Sequence, residues 1–136
     1  YGEKVYSPVI DKGTADYIIS FEKLEAARWI SYLKEGGKVI VSTQEIDPMP
    51  VITGVAKYPE NIVEKMQAAG ADVDAIDALS LALEAGSPKA VNIVLLGRMS
   101  KYFDASLEDW MNALESCVPP KFIELNKKAF MLGREA

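Results

Sequence analysis

Residues 15–43 read ADYIISFEKLEAARWISYLKEGGKVIVST, and this stretch decides the fold. Tyr17, Ile18 and Ile19 form an unbroken apolar run of the kind that fills a buried strand. Leu24, Ala27, Trp29, Ile30 and Leu33 then recur at roughly helical spacing, and after Gly36 and Gly37 a second apolar run covers residues 39–41. The Gly36-Gly37 pair is expected to be the turn that ends the helix. Strand, helix and strand in this order make a βαβ unit, which joins parallel strands. In open parallel sheets the ligand crevice lies beyond the carboxyl ends of the strands. Here those ends carry Ser20, Phe21 and Glu22, and then Ser42, Thr43 and Gln44.

On the amino-terminal side, residues 1–10 hold β-prone side chains interrupted by Ser7-Pro8, which predicts an extended edge segment followed by a turn at residues 11–13. On the other side, Asp47-Pro48-Met49-Pro50 is expected to break regular structure, with residues 51–58 continuing as loop or short turn and Pro59 opening the next helix. So long a connection suggests binding or docking. Residues 59–69 place Ile62, Val63 and Met66 on one stripe before Gly70, and residues 73–76 read as a short strand ending at Asp77. Residues 79–85 predict a helix ended by Gly86. Ser87-Pro88 then caps a helix so apolar through residues 91–96 that it should be buried. Ser106 caps a helix with Trp110, Met111 and Leu114 inward, and Pro119-Pro120 open a last helix over residues 121–133, with Phe122, Leu125, Ala129 and Phe130 on its inner face. The expected fold is α/β, a Rossmann-like three-layer domain with a mostly parallel sheet and a helical carboxyl-terminal third, forming one domain over residues 1–136.

Composition removes several classes of function. The 136 residues carry 15 Lys and Arg against 20 Asp and Glu, a net charge of −5, and no long basic run, which disfavours a nucleic-acid partner. No histidine is present, so His-based acid/base and nucleophile constellations fall away, and with them the commonest zinc ligand. The single cysteine, Cys117, cannot by itself hold an iron–sulfur cluster or a structural zinc, and a lone thiol suits a reducing cytoplasm. No metal site is expected. No apolar run approaches the roughly 18 residues of a membrane span, so no membrane partner is expected either. No GxGxxG, GxxxxGKS or GxxxxGKT phosphate loop occurs.

The polar candidates each carry two readings. Ser42, Thr43 and Gln44 can hydrogen-bond a carboxylate, a pyrophosphate or a partner loop, or can satisfy the turn that follows the strand. Glu22 and Glu25, expected in the first turn of the helix, either stabilise its start through the helix dipole or act as paired acids. Asn92 is expected to be a buried amide that needs a partner, backbone or ligand. Asp77 either faces the crevice or caps the next helix.

SFEKLEAARW at residues 20–29, GGKVIVSTQEIDPMPV at 36–51, NIVLLG at 92–97 and KFIELNKKAF at 121–130 occur in the order of one family. Together they resemble the gamma-type domain of the 2-oxoacid:ferredoxin oxidoreductases, most of all the beta-subunit type of the indolepyruvate branch. The family begins with a glycine-rich strand–turn–helix, so the resemblance implies that the amino-terminal βα part is missing before Tyr1 and that YGEKVYSP is the hairpin that follows it. It raises Glu22 and Glu25 as recurrent residues of a phenylalanine-glutamate motif. It implies a subunit that binds no cofactor alone, in a complex where thiamine diphosphate, Mg and iron–sulfur clusters lie on a large alpha subunit. CoA would accept the acyl group and ferredoxin the electrons, in anaerobic metabolism. Ser42, Thr43, Gln44, Glu22, Glu25 and Asn92 would then line a substrate or CoA channel or an interface. A pyruvate or 2-oxoglutarate gamma subunit, or a non-enzymatic binding or assembly domain, are the alternatives. The missing half-sheet further implies a homodimer for the isolated chain, through residues 5–10 or the carboxyl-terminal helices.

Overall fold

The computed structural model describes residues 3–136. Three parallel strands, β1 (Ala15–Ser20), β2 (Leu33–Ser42) and β3 (Asp72–Ile76), lie side by side in chain order. Between β1 and β2 runs α1 (Lys23–Trp29), and between β2 and β3 run the single turn α2 (Met49–Ile52) and α3 (Ile62–Ala68). After β3 every element is helical: α4 (Ala78–Ala85), α5 (Val91–Met99), α6 (Leu107–Cys117) and α7 (Ile123–Glu135).

The layers follow from the two-residue period of the strands. Val39 and Val41, wholly buried, face α1 and α3, where they meet Ala26, Ile62 and Met66. Ile40, between them on the chain, faces the other way into a core made by Ile76, Ala82, Val94, Leu95 and Ala129. Both faces of the sheet are therefore apolar and both are covered, as parallel sheets require. The three-layer α/β expectation holds, and the sheet is parallel throughout.

Several boundaries differ from the sequence reading. Helix α1 stops at Trp29, and Leu33, expected on its inner stripe, already pairs with Ala15 as the first residue of β2. Gly36 and Gly37 thus do not end a helix. They lie in an irregularity of β2 where residues 34–37 stand opposite Asp16 before Tyr17 pairs with Lys38, and Gly36 takes φ +73°, which glycine adopts freely. Pro48 does not simply break structure but precedes α2 as its N-cap residue. Helix α3 begins at Ile62 after Asn61 and not at Pro59, since Asn61 at φ +56° is left-handed and cannot lie inside a helix. Residues 3–10 form no strand, and Val5, Tyr6, Val9 and Ile10 are exposed, so the described part of the expected edge segment pairs with nothing in the sheet. Tyr1 and Gly2 of that segment lie outside the described residues. Phe122, expected inward, is exposed, because the chain around it is a short 3-10 turn and α7 starts one residue later. Among the described residues no helix is long and apolar enough to cross a membrane.

Gly133 was expected at the end of α7 and lies inside it, at the closest approach to α5. A Cβ on Gly133 would sit 1.9 Å from the carbonyl oxygen of Val94, and one on Gly97 would sit 2.0 Å from that of Phe130. Each helix thus presses a glycine onto the other's backbone, and the nearest neighbours are main-chain atoms that cannot swing aside. Gly97→Ala and Gly133→Ala should each lower the unfolding free energy by about 3 kcal/mol, because the two helices must part to admit a methyl group. Chemical denaturation checks this, with Asn92→Ala on the exposed side of α5 as the control, expected within about 0.5 kcal/mol of the parent.

Candidate functional site

The carboxyl ends of the strands converge through the register that pairs Ser20 with Val41 and Ser42 with Ile76. Ser20 is buried and its hydroxyl donates to the carbonyl of Glu22 at 2.8 Å, turning the chain from β1 into α1. Ser42 is wholly buried and its Oγ accepts from the N–H of Gln44 at 3.4 Å, so it satisfies the turn that follows β2. The Thr43 N–H donates to the carbonyl of Ile76 at 2.8 Å, which carries the β2–β3 ladder one residue further and leaves the Thr43 side chain exposed. That side chain borders a cavity of about 360 Å³ shared with Lys23, Glu45, Asn61, Ile62 and Glu64. Gln44 is half-buried and its carbonyl accepts from the N–H of Lys23 at 3.4 Å. A larger cavity of about 860 Å³ lies elsewhere, along Thr14 and the amino end of β1 and residues 102–105, away from the carboxyl ends of the strands.

Glu22 and Glu25 do not share a site. Glu22 is the N-cap residue of α1 and lies before its first turn, and its Oε2 accepts from the backbone N–H of Glu25 at 2.8 Å. Glu25 is exposed in the first turn, its carboxylate paired with Arg28 at 2.6 Å. Glu22 is buried, and its Oε1 accepts the Tyr58 hydroxyl proton in a short hydrogen bond. Burial pushes the Glu22 carboxyl up, but the Tyr58 hydroxyl and the backbone N–H groups of Leu24, Glu25 and Ile46 outweigh it and hold the group below the usual carboxylate range. Burial, with the Glu22 carboxylate alongside, pushes the Tyr58 phenol well up, so it stays a donor. Asp77 caps α4, accepting from the Ser80 N–H at 3.0 Å. Asn92 is exposed on α5, a correction to the buried amide expected of it. Two residues before Val94 on a helix of 3.6 residues per turn, it points away from the core, so its amide needs no protein partner.

Sequence reasoning missed a polar cluster on the opposite face of the sheet. Asp74 in β3 accepts from Arg98 of α5 through two bonds, Nε to Oδ2 at 2.7 Å and Nη2 to Oδ1 at 2.9 Å, and from the Tyr102 hydroxyl at 2.5 Å. The Tyr17 hydroxyl donates to the Tyr102 carbonyl at 3.1 Å, and Lys38 lies 4.5 Å from the centre of the Tyr102 ring. Burial pushes the Asp74 carboxyl up, and Arg98, Tyr102 and Lys38 outweigh it, so the group stays below the usual range. Burial and Asp74 push the Tyr102 phenol up to about 12. An aspartate in a four-residue apolar strand and an arginine closing an apolar helix were the visible signals.

A family model described as pyruvate ferredoxin/flavodoxin oxidoreductase matches residues 2–136. The chain belongs to that family. It is 41% identical over its full length to indolepyruvate oxidoreductase subunit IorB of Thermococcus kodakarensis and 39% identical to that of Pyrococcus horikoshii, spanning 70% of each. Its fold matches the keto/oxoacid ferredoxin oxidoreductase gamma subunit of Geobacter sulfurreducens with TM-score 0.65 and 27% identity, covering 93% of this chain and 66% of that one. The fold of pyruvate oxidoreductase subunit PORC from Thermotoga maritima is also shared, at TM-score 0.62 and 20% identity over 90% of this chain and 64% of that one.

The residues present do not fit the cofactors that the family implies. Cys117 is exposed and the chain has no second cysteine and no histidine, so no iron–sulfur ligand set exists in it. Among the described residues no group of three or more His, Cys, Asp or Glu side chains could hold a metal ion.

The Asp74–Arg98 pair makes the sheet sensitive to acid. A carboxylate whose folded pKa is depressed contributes stability that is present above its unfolded value of about 3.9 and lost as pH falls through the folded value. Asp74→Ala should cost about 2–3 kcal/mol near neutral pH, since it leaves the half-buried Arg98 guanidinium without its carboxylate. Asp74→Asn should flatten the fall in stability below about pH 4. Denaturant melts at several pH values check both.

Proposed function

We propose that the chain is the gamma-type subunit of a ferredoxin-dependent enzyme that oxidatively decarboxylates indolepyruvate, transferring the acyl group to CoA and two electrons to ferredoxin. The observation that carries this reading is the 41% identity to an indolepyruvate oxidoreductase subunit, in a match that covers all 136 residues. The pyruvate-specific relative, at 20% identity, supports the fold alone. Thiamine diphosphate, Mg and the iron–sulfur clusters belong to a large alpha subunit, as the family resemblance implies, and the single cysteine here accords with that for the clusters. The complex works in the cytoplasm, where Cys117 remains a thiol. Within it, Thr43 and Gln44 form part of a wall at the carboxyl edge of the sheet, facing the substrate or CoA channel or the partner. Ser42 and Glu22 support that wall from behind.

The test is reconstitution. The chain alone should reduce no viologen dye with any 2-oxoacid and CoA, whereas the chain combined with its alpha subunit should do so and prefer indolepyruvate over pyruvate and 2-oxoglutarate. Thr43→Ala in that complex should lower kcat/KM severalfold and leave the melting temperature of the chain within a few degrees. Preference for pyruvate or 2-oxoglutarate would move the chain to another branch of the family. Full activity of the alpha subunit without this chain would make it an assembly domain.

Without a partner the chain self-associates, through the exposed Val5, Tyr6, Val9 and Ile10 beside the open edge of β1. Sedimentation at micromolar concentration should show a two-chain mass that falls to one chain when the alpha subunit's contact is restored or when Val9 and Ile10 are replaced by Ser.

A further inference from the structure

The connection from β2 to α3, residues 43–61, carries an unusual surface. Ile46, Met49, Ile52 and Val55 along it are 57%, 66%, 66% and 83% exposed. Hydrogen bonds within residues 48–56 shape α2 itself, but with these apolar side chains exposed the connection has little packing to hold it against the rest of the domain. Both of its ends nevertheless return to one point. The Gln44 carbonyl accepts from the Lys23 N–H at 3.4 Å, and Glu45 Oε1 pairs with Lys23 Nζ at 2.5 Å. At the far end the Tyr58 hydroxyl donates to Glu22 Oε1, on the residue just before Lys23.

We propose that Glu22 is a latch: one buried carboxylate that, through Tyr58, fastens the far end of the residue 46–58 connection to the start of α1, where Lys23 already holds the near end, and so keeps α2 in a single position. The division of its oxygens makes this possible. Oε2 caps α1 through the Glu25 N–H at 2.8 Å, leaving Oε1 to take the Tyr58 hydroxyl. An ionised carboxylate has acceptor sites for all of these donors, whereas the protonated form gives up one of them. Closing the two ends of the connection on the neighbouring residues Lys23 and Glu22 removes much of its conformational freedom, which side-chain packing on α2 does not do. Glu22 is therefore a positioning residue, and Tyr58 is its counterpart on the connection.

The charged groups around the latch are Lys23 and Glu25 on α1, Glu45 beyond β2, and Glu60, Glu64 and Lys65 on the approach to α3 and on α3 itself. Lys23 is paired with Glu45 and Glu25 with Arg28, and Tyr58 is the side chain that meets the Glu22 carboxylate. The donors hold Glu22 ionised at neutral pH in spite of its burial. Its folded pKa is depressed, so the latch is closed above the ordinary carboxylate range and opens as pH falls through the folded value.

Hydrogen exchange read by mass spectrometry on the full chain tests the latch, with rates corrected for the intrinsic chemistry of exchange. Tyr58→Phe should speed exchange of residues 46–57 about tenfold while β1, β2, β3, α5 and α7 keep their protection. Glu22→Gln keeps the shape and an acceptor for the cap, and should release the same residues. Adding Tyr58→Phe to it should cause little further change, since the two groups share one contact. The parent chain should show loop exchange rising on acidification, and Glu22→Gln should not. Unchanged exchange of residues 46–57 in Tyr58→Phe would overturn the proposal, and so would an acceleration spread evenly over the whole domain in both variants. The readout needs no partner or substrate, so its failure leaves the proposed activity untouched.

Discussion

The contact between α5 and α7 is the constraint on which the second layer depends. Gly97 against the Phe130 carbonyl and Gly133 against the Val94 carbonyl bring two helix backbones together with no side chain between them. That closeness lets Val94, Leu95, Ala129 and Phe130 all be wholly buried in a domain of this size. It also sets the height of α5 above the sheet, which decides whether Arg98 reaches Asp74. The far end of the crossing is tied by Arg134, whose Nη1 donates to Ser100 Oγ at 2.6 Å, while the same hydroxyl donates to the Gly97 carbonyl at 2.6 Å. Small residues, main chain and one serine thus fix a layer that aliphatic packing alone would leave free to slide.

Two carboxylates then connect layers that differ in sequence distance. Asp74 joins the sheet to α5 and to the turn at Tyr102, and Glu22 joins the start of α1 to the connection before α3. Glu22 is buried and Asp74 half-buried, and each stays ionised because its donors outweigh the cost of burial. They differ in what they hold. Asp74 binds elements already packed by apolar contacts, so its loss threatens the fold, whereas Glu22 binds a connection whose outer side chains are exposed, so its loss frees a surface.

The division of labour in an oxidoreductase of this family is consistent with such a chain. With one exposed cysteine and no histidine, the chain has no ligand set for an iron–sulfur cluster, and its strand end at Ser42 and Thr43 is shaped by hydrogen bonds with the backbone. In the role proposed for it, the chain contributes an edge and a surface held in register.

Much of this was legible in the order of residues. The βαβ unit, the later crossover to β3 and the caps at Asp77, Ser87 and Ser106 follow from apolar periodicity and from side chains that satisfy the first N–H groups of a helix, which are local effects. The four strings that resemble one family were legible too, and the family stands. Tertiary structure alone decided the rest. Gly36 and Gly37 look like a helix end in isolation, but strand pairing takes Leu33 and draws the glycines into β2. Gly133 resembles a stop, but a neighbouring backbone requires it inside α7. Asn92 looks buried among apolar neighbours, but the direction of α5 turns it outward. Asp74 and Arg98, or Glu22 and Tyr58, lie far apart in the chain, and no periodicity links them. Local propensity and pattern set what each segment can be; which segments meet, and therefore which polar groups are paired, depends on contacts that exist only once the layers are packed.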